Sequence, residues 1–145
     1  MNRQLTIFLI FFALLSVTNA FAQTDSTKAK EPEYEMTTYY MVFLYRGDKW
    51  TPERTPEVEE IQKGHLANIT RLSEEGKLIL AGPFMDNKEL RGIFVMKTET
   101  LEEAQELCNT DPAVIAGRLK VEIKPWYSAK GITVLKKGEK VLKAH

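Results

Sequence analysis

The sequence predicts an α+β fold with four strands and two main helices. Three observations indicate it: strand-like runs of β-branched and aromatic residues, a long helical face of apolar residues spaced three and four apart, and turn or capping residues between these segments. The resulting order is β-α-β-β-α-β, the split motif of ferredoxin-like domains. That motif gives an antiparallel four-stranded sheet with its helices on one face.

The first strand and the first helix have clear local signals. Residues 37–46 are β-branched and aromatic, which predicts a strand. Thr55-Pro56-Glu57 predicts a helix start, because Pro is tolerated at the first helical position. Gly76 is suited to end that helix. The inward face of the helix is formed by residues at spacings of 3, 4, 4 and 3, namely Val58, Ile61, His65, Ile69 and Leu72.

The second half of the chain supplies the remaining elements. Residues 78–84 and 90–97 predict two strands joined as a hairpin by the turn residues Asp86 and Asn87. Residues 100–108 predict the second helix, and Asp111-Pro112 opens a short helical turn. Two segments complete the pattern, with a fourth strand at 118–127 and a small tail hairpin formed by 132–135 and 141–142.

The amino-terminal segment has the layout of a secretory signal peptide. Arg3 precedes an apolar run from Leu5 to Val17, and Ala20-Phe21-Ala22 offers a small-x-small cleavage site. The run of about 13 residues is shorter than the roughly 20 that a membrane-spanning helix needs, which favours cleavage after Ala22 over an anchor. We therefore expect export to the periplasm or secretion, with no membrane attachment afterwards. The predicted organisation is a signal peptide at 1–22, a flexible leader at 23–36, one domain at 37–128 and an extension at 129–145.

Charge and composition exclude several classes of function. The whole chain has 20 basic and 20 acidic side chains, and only Arg3 lies in the signal peptide. Such a balance does not favour nucleic acid as a partner, which usually requires a clustered basic face. The single cysteine, Cys108, cannot form an internal disulfide, and we expect it to pack as a small apolar residue. Two histidines without paired spacing and no phosphate-binding loop predict neither a metal site nor an organic cofactor.

Several predicted strands are apolar on both faces. The segments 40–45, 78–81 and 93–96 have apolar residues in both alternating sets. A sheet with helices on one face would otherwise have polar residues on the other, so a partner is expected to cover this second face. A second copy of the chain is the favoured cover, because most soluble oligomers are symmetric dimers. The alternative is that the apolar surface is itself a wide ligand site.

His65 and Asp111 are the candidate catalytic residues. His65 lies on the apolar face of the first helix, where an imidazole paired with a carboxylate can exchange a proton near neutral pH. The alternative is a core histidine bonded to a carbonyl group. Gly64 lies inside the predicted helix, where glycine costs about 1 kcal/mol of stability relative to Ala. This cost indicates either that another part of the protein approaches the backbone closely there, or that the helix begins near His65. The alternative for Asp111 is a purely structural helix cap ahead of Pro112.

Other residues are candidates to line a pocket. Gly82, Pro83 and Phe84 form an irregular strand end suited to a pocket wall, or alternatively a simple strand terminator. Arg118 is available to hold an anionic group. Trp126 could form an aromatic wall or cap the core.

A series of short motifs resembles the YCII-related (YciI-like) family over residues 38–127. The resemblance implies a dimeric α/β barrel in which two sheets pack face to face. It also implies that His65 and Asp111 are the active-site pair, and relates the chain to proteins that act on small, often aromatic molecules, including dehydrochlorinase-type lyases. The motifs that carry it are Gly64-His65-Leu66, Glu75-Gly76-Lys77-Leu78, Ala81-Gly82-Pro83-Phe84, Arg91-Gly92-Ile93, Glu102-Glu103-Ala104, Asp111-Pro112-Ala113, Ala116-Gly117 and Pro125-Trp126.

Three functional hypotheses follow. The leading one is a small-molecule enzyme of proton-transfer or lyase type without metal or organic cofactor, in which His65 is the general acid–base and Asp111 orients it. The second is a non-catalytic periplasmic dimer that binds a small ligand in the same pocket. The third is a purely structural dimer module, which a closed, dry core around His65 would favour.

Overall fold

The computed structural model describes residues 33–134. The predicted signal peptide, residues 23–32 of the predicted leader, and the part of the predicted tail hairpin at 135–145 lie outside the described residues. Export and cleavage therefore stay predictions. Residues 132–134, where the tail hairpin was expected to begin, are not in a strand. Between residues 33 and 134, no helix combines the length and apolar character needed to cross a membrane.

The element order is the predicted β-α-β-β-α-β, so the ferredoxin-like α+β fold is confirmed. A third helix of one turn follows the second helix. Each boundary lies within two residues of its predicted position. The elements are β1 (Met36–Arg46), α1 (Pro56–Glu74), β2 (Leu78–Pro83), β3 (Leu90–Met96), α2 (Leu101–Asn109), α3 (Pro112–Ile115) and β4 (Leu119–Ala129).

Local capping determines where the two main helices begin and end. The Thr55 hydroxyl accepts a hydrogen bond from the Val58 amide at 3.2 Å, and Pro56 occupies the first helical position. Thr100 caps α2 in the same way through the Glu103 amide, at 3.1 Å. Gly76 follows α1 with a φ of 70°, a left-handed conformation that glycine adopts without steric penalty.

The four strands form one antiparallel sheet in the order β2-β3-β1-β4. β1 pairs with β4 over its whole length, from Met36 opposite Ala129 to Arg46 opposite Leu119. β3 pairs with β1 only from Tyr40 to Tyr45. The sheet therefore has four strands at the end where β1 runs into α1, and narrows to the β1–β4 pair at the other end.

Both main helices pack on the same face of the sheet. Leu72 of α1 and Ala104 and Cys108 of α2 belong to one buried cluster with Val42 and Met96 of the central strands. Burial raises the pKa of the Cys108 thiol to about 12, with a smaller contribution from the Asp111 carboxylate. Cys108 therefore stays a neutral thiol at physiological pH, which suits a packing role rather than a nucleophilic one.

The opposite face of the sheet is also apolar at its centre. Residues directly across an antiparallel pair share a face, and the register places Phe43 opposite Ile93 and Met41 opposite Val95. Leu80 of β2 is opposite Val95 and extends this row. We call Leu80, Val95, Met41, Ile93 and Phe43 the outer face. Phe43, Met41 and Ile93 are half-buried in the single chain, and Leu80 is exposed.

Candidate active site

His65 and Asp111 meet in the folded chain, although 46 positions separate them. His65 projects inward from the middle of α1, and Asp111 is the residue that caps α3. The His65 Nδ1 atom and the Asp111 Oδ2 atom are 2.8 Å apart. The residues are sheltered, with 9% of His65 and 1% of Asp111 exposed. The structure thus brings the two candidate catalytic residues into one contact.

The Asp111 carboxylate has a structural and an orienting contact at once. Its Oδ1 atom accepts the Ala113 amide at 2.8 Å, which caps α3. Its Oδ2 atom faces His65 Nδ1 and also accepts the Asn68 side-chain amide at 3.3 Å. An ionised carboxylate only accepts, so with Asp111 ionised the donor in this pair is the His65 Nδ1–H group. Asp111 is therefore both the cap of α3 and the hydrogen-bonding partner of His65, so the two alternatives do not exclude each other.

The second ring nitrogen of His65 is not enclosed by the described residues, and His65 lines a cavity. With Nδ1 protonated, a neutral imidazole carries its lone pair on Nε2. In residues 33–134, Nε2 has no hydrogen-bond partner, and the only fully enclosed side-chain nitrogen or oxygen that lacks one is Nε of Arg46. His65 Nε2 is therefore accessible, and His65 itself lines the cavity. An imidazole with one ring nitrogen bonded to a carboxylate and the other accessible is suited to proton transfer.

Asn68 supports the pair from the same helix. Its Oδ1 atom accepts from Arg71 Nη2 at 2.7 Å, while its amide donates to Asp111. Arg71 is in turn held by Glu75, at 2.8 Å, and by the Thr110 hydroxyl, at 3.0 Å. Asn68 was not predicted as a site residue from the sequence. Its signal was a polar residue three positions after His65 and four before Leu72, on an otherwise apolar helix face.

Gly64 is the reason that α3 can approach α1. A Cβ atom at position 64 would lie 2.9 Å from Cγ and 3.2 Å from Cβ of Pro112. Real Cβ atoms do not tolerate the shorter of these distances, so any side chain here requires a shift. Of the two explanations for a helical glycine, the close approach is correct, because α1 begins at Pro56. The missing side chain allows Pro112, and with it Asp111, to dock beside His65.

We expect Gly64→Ala to give no gain in stability, and to weaken the His65–Asp111 contact. On an open helix face this change stabilises by about 1 kcal/mol, whereas overpacking costs about 1–3 kcal/mol, so a net loss of up to about 2 kcal/mol is predicted. Urea unfolding and the NMR signals of the His65 ring measure both effects. Lys63→Ala, at the neighbouring exposed position, is the control. A stabilised Gly64→Ala protein with unchanged His65 signals would contradict this account.

The cavity in front of His65 has a volume of about 450 Å³ and lies between α1 and the four-stranded end of the sheet. This volume is within the range of small-molecule sites. The Phe94 ring is nearly parallel to the His65 ring, with an interplanar angle of 21° and centroids 6.0 Å apart. Most of the wall is apolar, including Leu44, Ile61, Leu66, Ile69 and Leu119. The cavity thus combines an apolar wall with a few polar groups.

Three of the five predicted pocket residues line this cavity, namely Gly82, Pro83 and Arg118. Close backbone packing shapes that wall, because a Cβ atom on Gly92 would lie 2.6 Å from the Gly82 carbonyl oxygen. Among the lining residues that were not predicted from the sequence, those with polar side-chain atoms are Trp50, Gln62 and Arg91.

The other two predicted residues, Phe84 and Trp126, are not among the residues that line the cavity. Trp126 lies opposite Tyr39 in the register and packs on that ring, with centroids 6.1 Å apart. The cavity end of β4 is Leu119, seven residues and roughly 23 Å away along an extended strand. Phe84 follows β2 and is partly exposed, and its amide donates to the Arg91 carbonyl at 2.8 Å. In residues 33–134, no three His, Cys, Asp or Glu side chains come together as metal ligands would.

Comparison with known proteins gives a family, a relative and a related solved structure. The family model of the YCII-related domain matches residues 38–127. The uncharacterized protein YjpA of Bacillus subtilis is 34% identical over 91 residues, which cover 63% of this chain and 95% of that protein. One solved structure to which the chain is similar is 5-chloro-2-hydroxyhydroquinone dehydrochlorinase from Burkholderia phenoliruptrix, in complex with 2,5-dihydroxybenzoquinone. It is 23% identical with a TM-score of 0.43, and the match covers 59% of this chain and 92% of that one.

Proposed function

The chain belongs to the YCII-related family, and from that starting point we propose that it is a small-molecule enzyme of proton-transfer or lyase type. His65 is the general acid–base, and Asp111 orients its ring. The observation that carries the proposal is the 2.8 Å contact between His65 Nδ1 and Asp111 Oδ2, with Nε2 accessible and His65 in the cavity wall. Family membership alone names no reaction, whereas this geometry supports proton transfer.

In the proposed mechanism, Nε2 of the neutral His65 ring accepts a proton from a C–H or O–H group of the substrate. The Nδ1–H group keeps its bond to Asp111, so the carboxylate stabilises the imidazolium that forms. The electron pair left on the substrate forms a double bond or expels a leaving group. The Nε2–H group then returns the proton to the product, to the leaving group or to water, which restores the neutral ring. Such a positioned group contributes about 10²–10⁴ in rate.

The surroundings of His65 support this role in two ways. The apolar wall excludes much of the bulk water from a bound ligand, which strengthens electrostatic interactions inside the cavity. The Phe94 ring and α1 hold the imidazole from two sides, and Asn68 holds the carboxylate, so both groups are preorganised.

A hydrogen-exchange screen tests the proposal. Small carbonyl compounds and hydroxylated aromatic compounds are incubated with the protein in D₂O, and loss of C–H signals is followed by proton NMR. We expect one or more compounds to exchange with the wild-type protein, and the same compounds not to exchange with His65→Asn. Equal exchange by both proteins would make His65 irrelevant to the chemistry. A compound that shifts the His65 signals without exchange or conversion would favour the non-catalytic binding module.

We also propose that two copies of the chain pack through the outer face. The support is the row of apolar side chains on a sheet whose main helices pack on the opposite face. Phe43→Lys places a charge at the centre of this face and is expected to convert a dimer into a monomer, as measured by light scattering after gel filtration. Ile115→Lys, at an exposed position on α3, is the control. A wild-type monomer, or a dimer that Phe43→Lys leaves intact, would contradict this assembly.

A further inference from the structure

The cavity in front of His65 has positive charges in its wall and no acidic side chain. Among the lining residues, taken within the described range 33–134, the permanently charged ones are Arg91 and Arg118. Asp111 is buried behind the imidazole and is not part of the wall. The ion pairs formed in that same range involve neither Arg91 nor Arg118. Two arginines therefore line one cavity without a carboxylate partner in the part of the chain that the structure describes.

Arg118 is held in place by neutral oxygen atoms. Its Nη1 atom donates to the Thr51 hydroxyl at 3.2 Å, and its Nη2 atom donates to the Thr51 carbonyl at 2.9 Å. A guanidinium has five N–H groups, so these two bonds leave three available. The contacts restrict the side chain without neutralising its charge.

Arg91 is held in a comparable way by the β2–β3 turn. Its Nη1 atom donates to Asn87 Oδ1 at 3.1 Å and to the Lys88 carbonyl at 3.3 Å. Asn87 has a left-handed φ of 55°, and its carbonyl also accepts Arg46 Nη2 at 2.7 Å. The turn therefore fixes the Arg91 guanidinium through uncharged groups and leaves its Nε and Nη2 donors unused.

We infer that the ligand of this cavity is a small molecule with an apolar body and an anionic group. The anionic group, a carboxylate, lies between Arg118 and Arg91, and the apolar body packs against Phe94 and Ile61. Guanidinium groups bind such anions through short charge-assisted hydrogen bonds, and a half-buried positive charge gains most from a partner that excludes water. With the anionic group placed between the two arginines, His65 is left to contact the reacting part of the molecule. The inference rests on the proposed function, because it names the substrate class of the same site.

The test compares acids with their neutral amides. Benzoate is paired with benzamide and hexanoate with hexanamide, and binding to the full chain is measured by NMR titration of the cavity residues. We expect at least one carboxylate to bind about tenfold or more tightly than its amide. Arg118→Gln and Arg91→Gln are each expected to lower the affinity for that carboxylate by about tenfold. Arg54→Gln is the control, because Arg54 is 86% exposed and outside the cavity.

Two results would overturn the inference. One is that neither carboxylate binds more tightly than its amide. The other is that the Arg91→Gln/Arg118→Gln double variant binds the carboxylate as well as the wild-type protein does. The His65→Asn variant separates this question from catalysis, because it is expected to keep the preference for carboxylates. If His65→Asn abolishes exchange while no carboxylate preference exists, the proposed function stands and only the ligand class is wrong. If the carboxylate preference exists but His65→Asn still catalyses exchange, the ligand class is right and the proposed role of His65 is wrong.

Discussion

Replacing Asp111 by Ala is expected to destabilise the protein by about 2–4 kcal/mol. The change removes the cap of α3, a loss of about 0.5–2 kcal/mol. It also leaves the Asn68 amide and the His65 Nδ1 atom without their partner in a buried position, and an unpaired buried polar group costs about 1–3 kcal/mol. Urea unfolding at neutral pH measures the effect.

Thr100→Ala provides the matched control for the Asp111 prediction. Thr100 caps α2 through the Glu103 amide, and its hydroxyl has no second buried partner in residues 33–134. Its loss is therefore expected to cost about 1 kcal/mol, the typical value for a cap alone. If Asp111→Ala costs no more than Thr100→Ala, the carboxylate is a cap only, and its contact with His65 contributes nothing to stability.

Replacing His65 by Asn is expected to lower the rate of any reaction found by about 10²–10⁴ while the protein stays folded. The Asn side-chain amide occupies nearly the position of Nδ1, so it can still donate to Asp111 Oδ2. The group corresponding to Nε2, which exchanges the proton, is missing. Asn and His also have similar helix propensities, so α1 is not weakened for that reason. A matched pair of measurements, initial rates and urea unfolding, separates loss of chemistry from loss of fold.

The result that would contradict the role of His65 is specific. A His65→Asn protein with a wild-type rate would exclude an acid–base role for His65. If His65→Asn lowers the rate and also lowers the free energy of unfolding by several kcal/mol, misfolding would explain the lower rate. Asp111→Asn then serves as the second variant. Asn caps a helix about as well as Asp, so this variant keeps the α3 cap and changes mainly the contact with His65.

Most of the fold could be predicted because its signals are local. The start of α1 is encoded by Thr55 and Pro56 and its end by Gly76, which act within a few residues and do not depend on the rest of the chain. Strand existence was equally clear from β-branched and aromatic runs. Strand length was less clear, since β1 and β4 extend as a pair past β3, and pairing between distant segments decides where they end.

The site could be predicted only in part. Helical spacing showed that His65 points inward, but periodicity within one helix cannot identify what lies opposite it. The contact with Asp111 depends on α3 docking against Gly64, a tertiary event. Asn68 was missed because a polar residue on an apolar face has no defined partner in the sequence. Trp126 was placed in the pocket because the strand pattern shows that it is in β4, but not how far it is from the cavity end of that strand.

The most direct test of the account is the protonation of the His65 ring, measured by long-range ¹H–¹⁵N NMR at neutral pH. If Asp111 orients the ring as the 2.8 Å contact indicates, the wild-type spectrum shows a proton on Nδ1 and a lone pair on Nε2. Asp111→Asn should then alter this pattern, because the new amide presents a donor where the carboxylate accepted. A wild-type ring with its proton on Nε2, or one whose signals are the same in Asp111→Asn, would contradict the proposed acid–base pair.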